Sequence, residues 1–229
     1  MDQDYLEEQD FSVDRARYEY KEWRLHDRIF SETHMYKFME RTAKAEGLKS
    51  TLAALPYMKK AHEGQTRNGM EHIPYIYHPL LMACHAHALG IKNDDILASI
   101  LLHDVCEDCG VSPEDLPFNE TIKTTVDLLT YKRGEDETSL QAHERYFAAI
   151  KENPYAVLIK IIDRCNNISM MAGAFTRDRM IRYIEETMQF VMTLFDVLNF
   201  GFEGQYYDIA FLLKYHLLSV LESERFMLV

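Results

Sequence analysis

From residue 51 onward, apolar and polar positions follow the spacing of helices rather than strands. The stretch "TLAALPYMKKAHEG" predicts a helix that closes near Gly64, with Lys59 and Lys60 beside its negative end. A loop, "QTRNGMEHIPYIY", follows; Pro79 then suits a first helical turn, which puts His78 at or near the N-cap, and Gly90 closes that helix. "NDDILASILLHDV" starts on an Asn/Asp cap and carries Ile96, Leu97, Ile100 and Leu101 on one face. Ser112 and Pro113 open a short helix in "SPEDL", and "NETIKTTVDLLTYKRGEDE" reads as a helix followed by a charged loop. The grammar recurs in "NPYAVLIKIIDRCNNISMM", where Asn153 caps, Pro154 follows and an apolar run leads to Asp163. Two closing helices are predicted in "RDRMIRYIEETMQFVMTLFDVL" and "YYDIAFLLKYHLLSVLESE". No series of alternating strands, glycine-rich nucleotide loop or internal repeat breaks the pattern. The expected class is all-α, a single helical bundle. Its expected parts are a charged helical extension at 1–45, with Tyr18, Trp23, Leu25 and Phe30 loosely spaced in it, a main domain at 46–200, and a helix within 201–229 packed on that domain.

Composition narrows the function classes. With 47% hydrophobic and 27% charged residues the chain can build a sizeable core. Its formal charge of −12 argues against a nucleic-acid binder, which needs Lys and Arg in excess. A small anionic nucleotide stays possible if a local basic cluster or a cation offsets the far field. The first residues, "MDQDYLEEQD", are acidic where a signal peptide is basic and then apolar, and no stretch has membrane-spanning length; the expectation is a cytoplasmic protein. Four cysteines, with Cys106 and Cys109 enclosing "ED" and no second pair at zinc-ribbon spacing, read as reduced structural thiols. Oligomeric state is left open.

The chemistry gathers in a few positions. "LLHDVCED" runs two leucines into His103, Asp104, Glu107 and Asp108. His78, His103, Asp104 and Asp163 each stand at an end or on the inner face of a predicted helix. Taken singly, each reads as a cap or a satisfied buried polar group. Together they would need four separate explanations, because a carboxylate close to a core is costly unless paired or metal-bound. One divalent cation answers all four, and two imidazoles with two carboxylates suit Mn²⁺ or Fe²⁺. Glu107, four residues after His103, would share its face if the helix continued. With Asp108 it would form an acid/base couple beside the metal. Lys160, Asp163, Arg164 and Asn167 form a polar stripe among Val157, Leu158, Ile161 and Ile162.

"AHEGQTRNGMEHIPYIYHPL", "LLHDVCED" and "IKIIDRCNN" together resemble the hydrolase domain of RelA/SpoT-type alarmone enzymes, a branch of the HD-domain metal phosphohydrolases. The family order "GQ-x-R", "PYI-x-HP", "HD-x-x-ED", "DR-x-x-N" runs intact from Ala61 to Asn167, with a weaker likeness through "RYIEETMQF". The resemblance implies an HD-type bundle with a metal site between its helices. It implies His78, His103, Asp104 and Asp163 as ligands, usually of Mn²⁺, and Glu107 and Asp108 as the pair that activates water. Arg67 would pack on the guanine base, Asn167 would stand near the nucleoside, and Lys160 and Arg182 would approach the phosphates. The implied activity is 3′-pyrophosphate hydrolysis of ppGpp or pppGpp, yielding pyrophosphate and GDP or GTP. Four departures touch the recognition shell: Asn68 replaces a Lys, the loop bearing Glu71 and His72 is longer, Asn166 replaces a His, and Met170 replaces a Thr. They motivate a rival reading as a phosphohydrolase of another nucleotide, a dNTP or nucleoside monophosphate. A third reading, a non-catalytic alarmone-binding module, is weakened by the intact "HD-x-x-ED". A synthetase domain after the hydrolase is not expected in a chain of this length.

Overall fold

The computed structural model describes residues 31–67, 70–200 and 204–228, so the expected features at Tyr18, Trp23, Leu25 and Phe30 lie outside the described residues. Ser31 caps α1 (Glu32–Glu46) by accepting from the His34 N–H, and Gly47, at φ +73°, ends it in the left-handed conformation that favours glycine. α2 (Lys49–Ala61) stops before Gly64, which lies in the turn that follows. The segment read as a loop holds a short antiparallel hairpin, β1 (Thr66–Arg67) with β2 (Met70–Pro74). α3 (Tyr77–Ala88) has Ile76 as its N-cap, so His78 stands inside the first turn rather than at the cap.

Asn93 caps α4 (Asp94–Leu102) by accepting from Ile96 N–H, as its sequence predicts. The helix does not run on to Glu107. It ends at His103, and a turn through Asp104 leads into the single turn α5 (Val105–Asp108). After a 3₁₀ turn at Pro113–Asp115 come α6 (Glu120–Leu129) and α7 (Ser139–Lys151). The charged loop expected from sequence ends at Glu137, and no helix is predicted in the region of α7. Its start is nevertheless signalled by a reciprocal box in which Thr138 and Gln141 cap one another's backbone N–H groups. The "RDRM…FDVL" segment is two helices, α9 (Arg177–Gln189) and α10 (Leu194–Phe200), hinged at a 3₁₀ turn. α11 (Tyr207–Leu228) closes the bundle.

The axis of the bundle is α8 (Pro154–Ala174), capped by Asn153. Ala156 to Ile162 place only one residue, Lys160, away from full burial, so this half of the helix must be enclosed. It packs against α3, α4, α6, α7, α9, α10 and α11. α1 contributes Met35, Met39 and Ala43 to the same core, across the position-45 limit drawn from sequence. All four cysteines are free, and burial pushes the Cys84 and Cys165 thiols up to about 12, which makes them inert. No helix among the described residues is long and apolar enough to cross a membrane.

One polar contact ties two helix starts together. Leu48, at the N-cap of α2, has no side chain that can cap, and the Asp94 carboxylate from α4 does so instead, accepting from Ser50 N–H, Thr51 N–H and Thr51 Oγ1 at 2.8 Å each. Burial acts to raise the Asp94 pKa, but these donors outweigh it and hold the group below the usual carboxylate range. Asp94→Ala should therefore cost about 1–2 kcal/mol at neutral pH, as loss of a cap does. A depressed folded pKa stabilises above the unfolded value and loses that effect as pH falls through the folded one. Urea titrations at pH 7 and pH 3 should show the gap between wild type and variant closing at the lower pH.

Candidate metal centre and its cleft

α3, the α4–α5 turn and α8 each deliver part of one cluster. His78 comes from the first turn of α3, His103 and Asp104 from the end of α4, and Asp163 from mid-α8. His78 Nε2 stands 3.2 Å from Asp163 Oδ1 and 3.7 Å from Asp104 Oδ2, and His103 Nε2 is 3.0 Å from Asp104 Oδ2. His78, His103 and Asp163 offer ligand atoms that all lie within 4.8 Å of one another, the one such group of His, Cys, Asp and Glu among the described residues. His78, His103 and Asp163 are at most 6% exposed, while Asp104 is open on one side.

The donor set fits a cation. His103 Nδ1 donates to the Ile100 carbonyl at 2.8 Å, which leaves the lone pair of Nε2 facing inward. That Nε2 is buried and has no hydrogen-bond partner, although the Asp104 carboxylate is near. His78 Nδ1 is 2.6 Å from Asn166 Oδ1, which turns its Nε2 inward too. Two imidazole lone pairs and two carboxylates thus converge on one small volume, an arrangement that a divalent ion stabilises. Burial alone would raise the pKa of both carboxylates. The His103 imidazole beside Asp104, and Lys160 and His78 beside Asp163, instead hold both well below the usual range. Burial works against charge on His103, yet Asp104 and Asp163 outweigh it and lift this group to about 9, so a cation would take the Nε2 lone pair by displacing a proton; His78 is driven down by burial and by Arg67.

Each carboxylate is also anchored from outside the cluster. Tyr75 donates its hydroxyl to Asp104 Oδ2 at 2.7 Å. Asn167 Nδ2 donates to Asp163 Oδ1 at 2.6 Å, Lys160 Nζ lies 3.1 Å from Asp163 Oδ2, and Arg67 donates to Asn167 Oδ1 at 2.7 Å. The polar stripe on α8 is therefore one network rather than a solvated face.

Above this cluster lies a cleft of about 330 Å³, a size suited to a small ligand. Its walls include Arg67, Glu107, Asp108, Lys160, Asn167, Met170 and Arg179. Glu107 is positioned by accepting from Tyr131 N–H at 2.9 Å, and burial raises its pKa against the effect of that bond. Arg67, carried by the hairpin, sits with its guanidinium 5.5 Å from the Tyr75 ring, which itself stacks on His62. Of the residues singled out from sequence, His78, His103, Asp104, Asp163, Glu107, Asp108, Arg67, Lys160 and Asn167 all line the cleft, and Arg182 does not. Arg182 is exposed and stands outside the lining, whereas Arg179, Tyr183 and Glu186 share the facing stripe at helical spacing. Asn68 and the side chains of Glu71 and His72 lie outside the described residues. Sequence reasoning passed over Tyr75, Arg179 and the wall formed by Tyr131, His143 and Tyr146. Tyr75 alone had a local signal, a hydroxyl inside "PYIYHP" that must find an acceptor once buried.

No protein-family model matches the chain. It is 33% identical over 138 residues to a guanosine-3′,5′-bis(diphosphate) 3′-pyrophosphohydrolase of Vibrio cholerae, and 30% identical over 139 residues to the bifunctional (p)ppGpp synthase/hydrolase SpoT of Escherichia coli. Each alignment takes in 57% of this chain and 19% of the relative, so the chain spans about a fifth of the length of these bacterial relatives. The guanosine-3′,5′-bis(diphosphate) 3′-pyrophosphohydrolase MESH1 of Xenopus tropicalis is 31% identical over 124 residues, 51% of this chain and 66% of that protein. A solved structure of a metazoan orthologue of SpoT, described as hydrolysing ppGpp, superposes with a TM-score of 0.60 over 76% of this chain and 95% of its own. At 20% identity that likeness establishes the fold.

At the α8–α9 side of the cleft, Arg164 is buried and pairs with Glu186, donates to Thr187 Oγ1 at 3.1 Å and covers the Tyr183 ring at 3.9 Å. This contact fastens α9 to α8. Glu186→Ala would strand a buried guanidinium and should cost about 3 kcal/mol, the low end for a broken buried pair because Glu186 is partly open to water. Chemical denaturation of both proteins measures this, and a loss below 1 kcal/mol would show that the pair does not hold α9 in place.

Proposed function

We propose that this chain, a relative of the alarmone hydrolases, is a metal-dependent (p)ppGpp 3′-pyrophosphohydrolase. The observation that carries the reading is the convergence of His78, His103 and Asp163, with Asp104 Oδ2 within 3.7 Å of both imidazoles, and with Glu107 and Asp108 on the adjoining wall of a cleft that also bears Arg67, Lys160 and Arg179. The substrate is a guanosine carrying a 3′-diphosphate, and the metal is Mn²⁺, with Fe²⁺ as the second choice for a mixed nitrogen and oxygen donor set. The four side chains would hold it. A divalent cation there supplies Lewis acidity toward a phosphoryl oxygen and acidifies water.

The chain's own groups do the rest. Glu107, fixed by the Tyr131 N–H, takes a proton from the attacking water, and Asp108 beside it aims that water at the phosphorus joined to the 3′ oxygen. The P–O3′ bond breaks, the 3′ oxygen regains a proton, and pyrophosphate leaves with GDP or GTP as the other product. Arg67, Lys160 and Arg179 offset the substrate charge locally, which a chain of net charge −12 must do. The working unit comprises the expected 46–200 domain, the closing helix packed on it and α1, which shares its core, and it acts in the cytoplasm.

Met170 on the cleft wall and Asn166 beside it depart from the family pattern, and they favour one second reading, hydrolysis of another nucleotide by the same centre. Incubating the Mn²⁺-loaded protein with ppGpp, dNTPs and nucleoside monophosphates in competition separates the two; turnover of dNTPs with none of ppGpp would reject the alarmone assignment. Asp104→Ala should abolish both metal binding and turnover. Glu107→Gln should keep the metal, read by calorimetry, and lose about 10²–10⁴-fold in kcat. Because burial raises the Glu107 pKa, wild-type turnover should fall as pH drops toward that raised value, and the residual rate of Glu107→Gln should lack this limb.

A further inference from the structure

Both imidazoles of the cluster present Nε2 inward, and each owes this to an oxygen acceptor on Nδ1. For His103 the acceptor is the Ile100 carbonyl, three residues back on the same helix end, which no substitution removes. For His78 it is the side chain of Asn166 alone, reaching from α8 across to α3 at 2.6 Å. Asn166 is 6% exposed and His78 1%, so water does not compete for either group. A buried amide oxygen at the centre of the most enclosed helix is costly unless it bonds, and this bond satisfies that oxygen. Its neighbour Asn167 does the matching service for the second ligand on that side, donating to Asp163 Oδ1.

We infer that Asn166 is the residue that readies His78 for metal binding: its carbonyl oxygen holds the imidazole proton on Nδ1 and so keeps the Nε2 lone pair free for the cation. This rests on the metal-site reading above and adds a positioning residue to it. The physical need is specific. A neutral imidazole has one proton, and with nothing on Nδ1 the carboxylate of Asp163, 3.2 Å from Nε2, would draw that proton inward and block the ligand atom. A partner on the outer nitrogen fixes tautomer and ring orientation together. In the family pattern this position carries a His, so the device is a property of this chain's own residue.

Asn166→Leu removes the acceptor while roughly keeping volume, and Asn166→Asp keeps it in a form that can only accept. Mn²⁺ affinity by isothermal titration calorimetry should fall about 10–100-fold in Asn166→Leu and be kept or improved in Asn166→Asp. A purely structural role for Asn166 would not be rescued by the buried charge of Asp. Long-range ¹H–¹⁵N spectra of protein stripped of metal, at a pH where His78 is neutral, should show its proton on Nδ1 in wild type and Asn166→Asp and on Nε2 in Asn166→Leu. Should Asn166→Leu not fold, the wild-type and Asn166→Asp spectra still decide. An Nε2 proton in wild type, or unchanged Mn²⁺ affinity in folded Asn166→Leu, overturns the inference. A wild-type protein that binds no Mn²⁺ overturns the metal-site reading instead, and the spectrum, recorded without metal, tells the two failures apart.

Discussion

The site depends on one electrostatic constraint: a buried carboxylate, Asp163, and a half-buried one, Asp104, are held within 3.7 Å of the inward nitrogens of two buried imidazoles. Like-signed groups do not gather in a low-dielectric interior unless something between them offsets the repulsion. The outer partners make the arrangement stiff. Tyr75, Asn167, Lys160, Asn166 and the Ile100 carbonyl each occupy the far side of one cluster residue, so that their free atoms have only one direction to face. Rigidity of this kind lowers the reorganisation needed to hold an ion or a transition state.

The fold supplies that stiffness by placing the chemistry on its least mobile element. α8 is enclosed by seven other helices, and Asp163, Asn166 and Asn167 project from it into the bundle. The pieces that shape the cleft mouth are shorter: the β1–β2 hairpin bearing Arg67, the single turn α5 bearing Glu107 and Asp108, and α9 bearing Arg179. A rigid floor with separately built walls lets the reacting centre stay fixed while residues on the walls vary; the two departures from the family pattern that fall on described side chains, Asn166 and Met170, both stand on α8 beside the cluster residue Asp163 and Asn167.

Much of the helical plan was readable in the chain because caps and apolar spacing act within a few residues of each other. Asn93, Asn153 and Gly90 punctuate helices where the sequence places them. α7 was lost because its charged face drowned a modest apolar stripe of Ala142, Tyr146, Phe147 and Ile150. The hairpin was lost because β1 has two residues, too few for any period. The break between α4 and α5 was likewise invisible; it places Glu107 on a separate turn, where Tyr131 N–H can reach it.

Composition and motif spacing alone determined the class of fold, the residue types of the cluster and their order, since those are statements about which side chains exist and which helix faces they share. Tertiary structure decided which arginine of α9 faces the cleft, because Arg179 and Arg182 stand only about 60° apart around the helix and packing alone sets which of them lines it. It also decided the partners of every cluster residue. Asn166 and His78 are 88 positions apart, and Arg67 and Asn167 are 100 apart. Hydrogen bonds over such separations have no local signature; they exist only once the bundle has closed around α8.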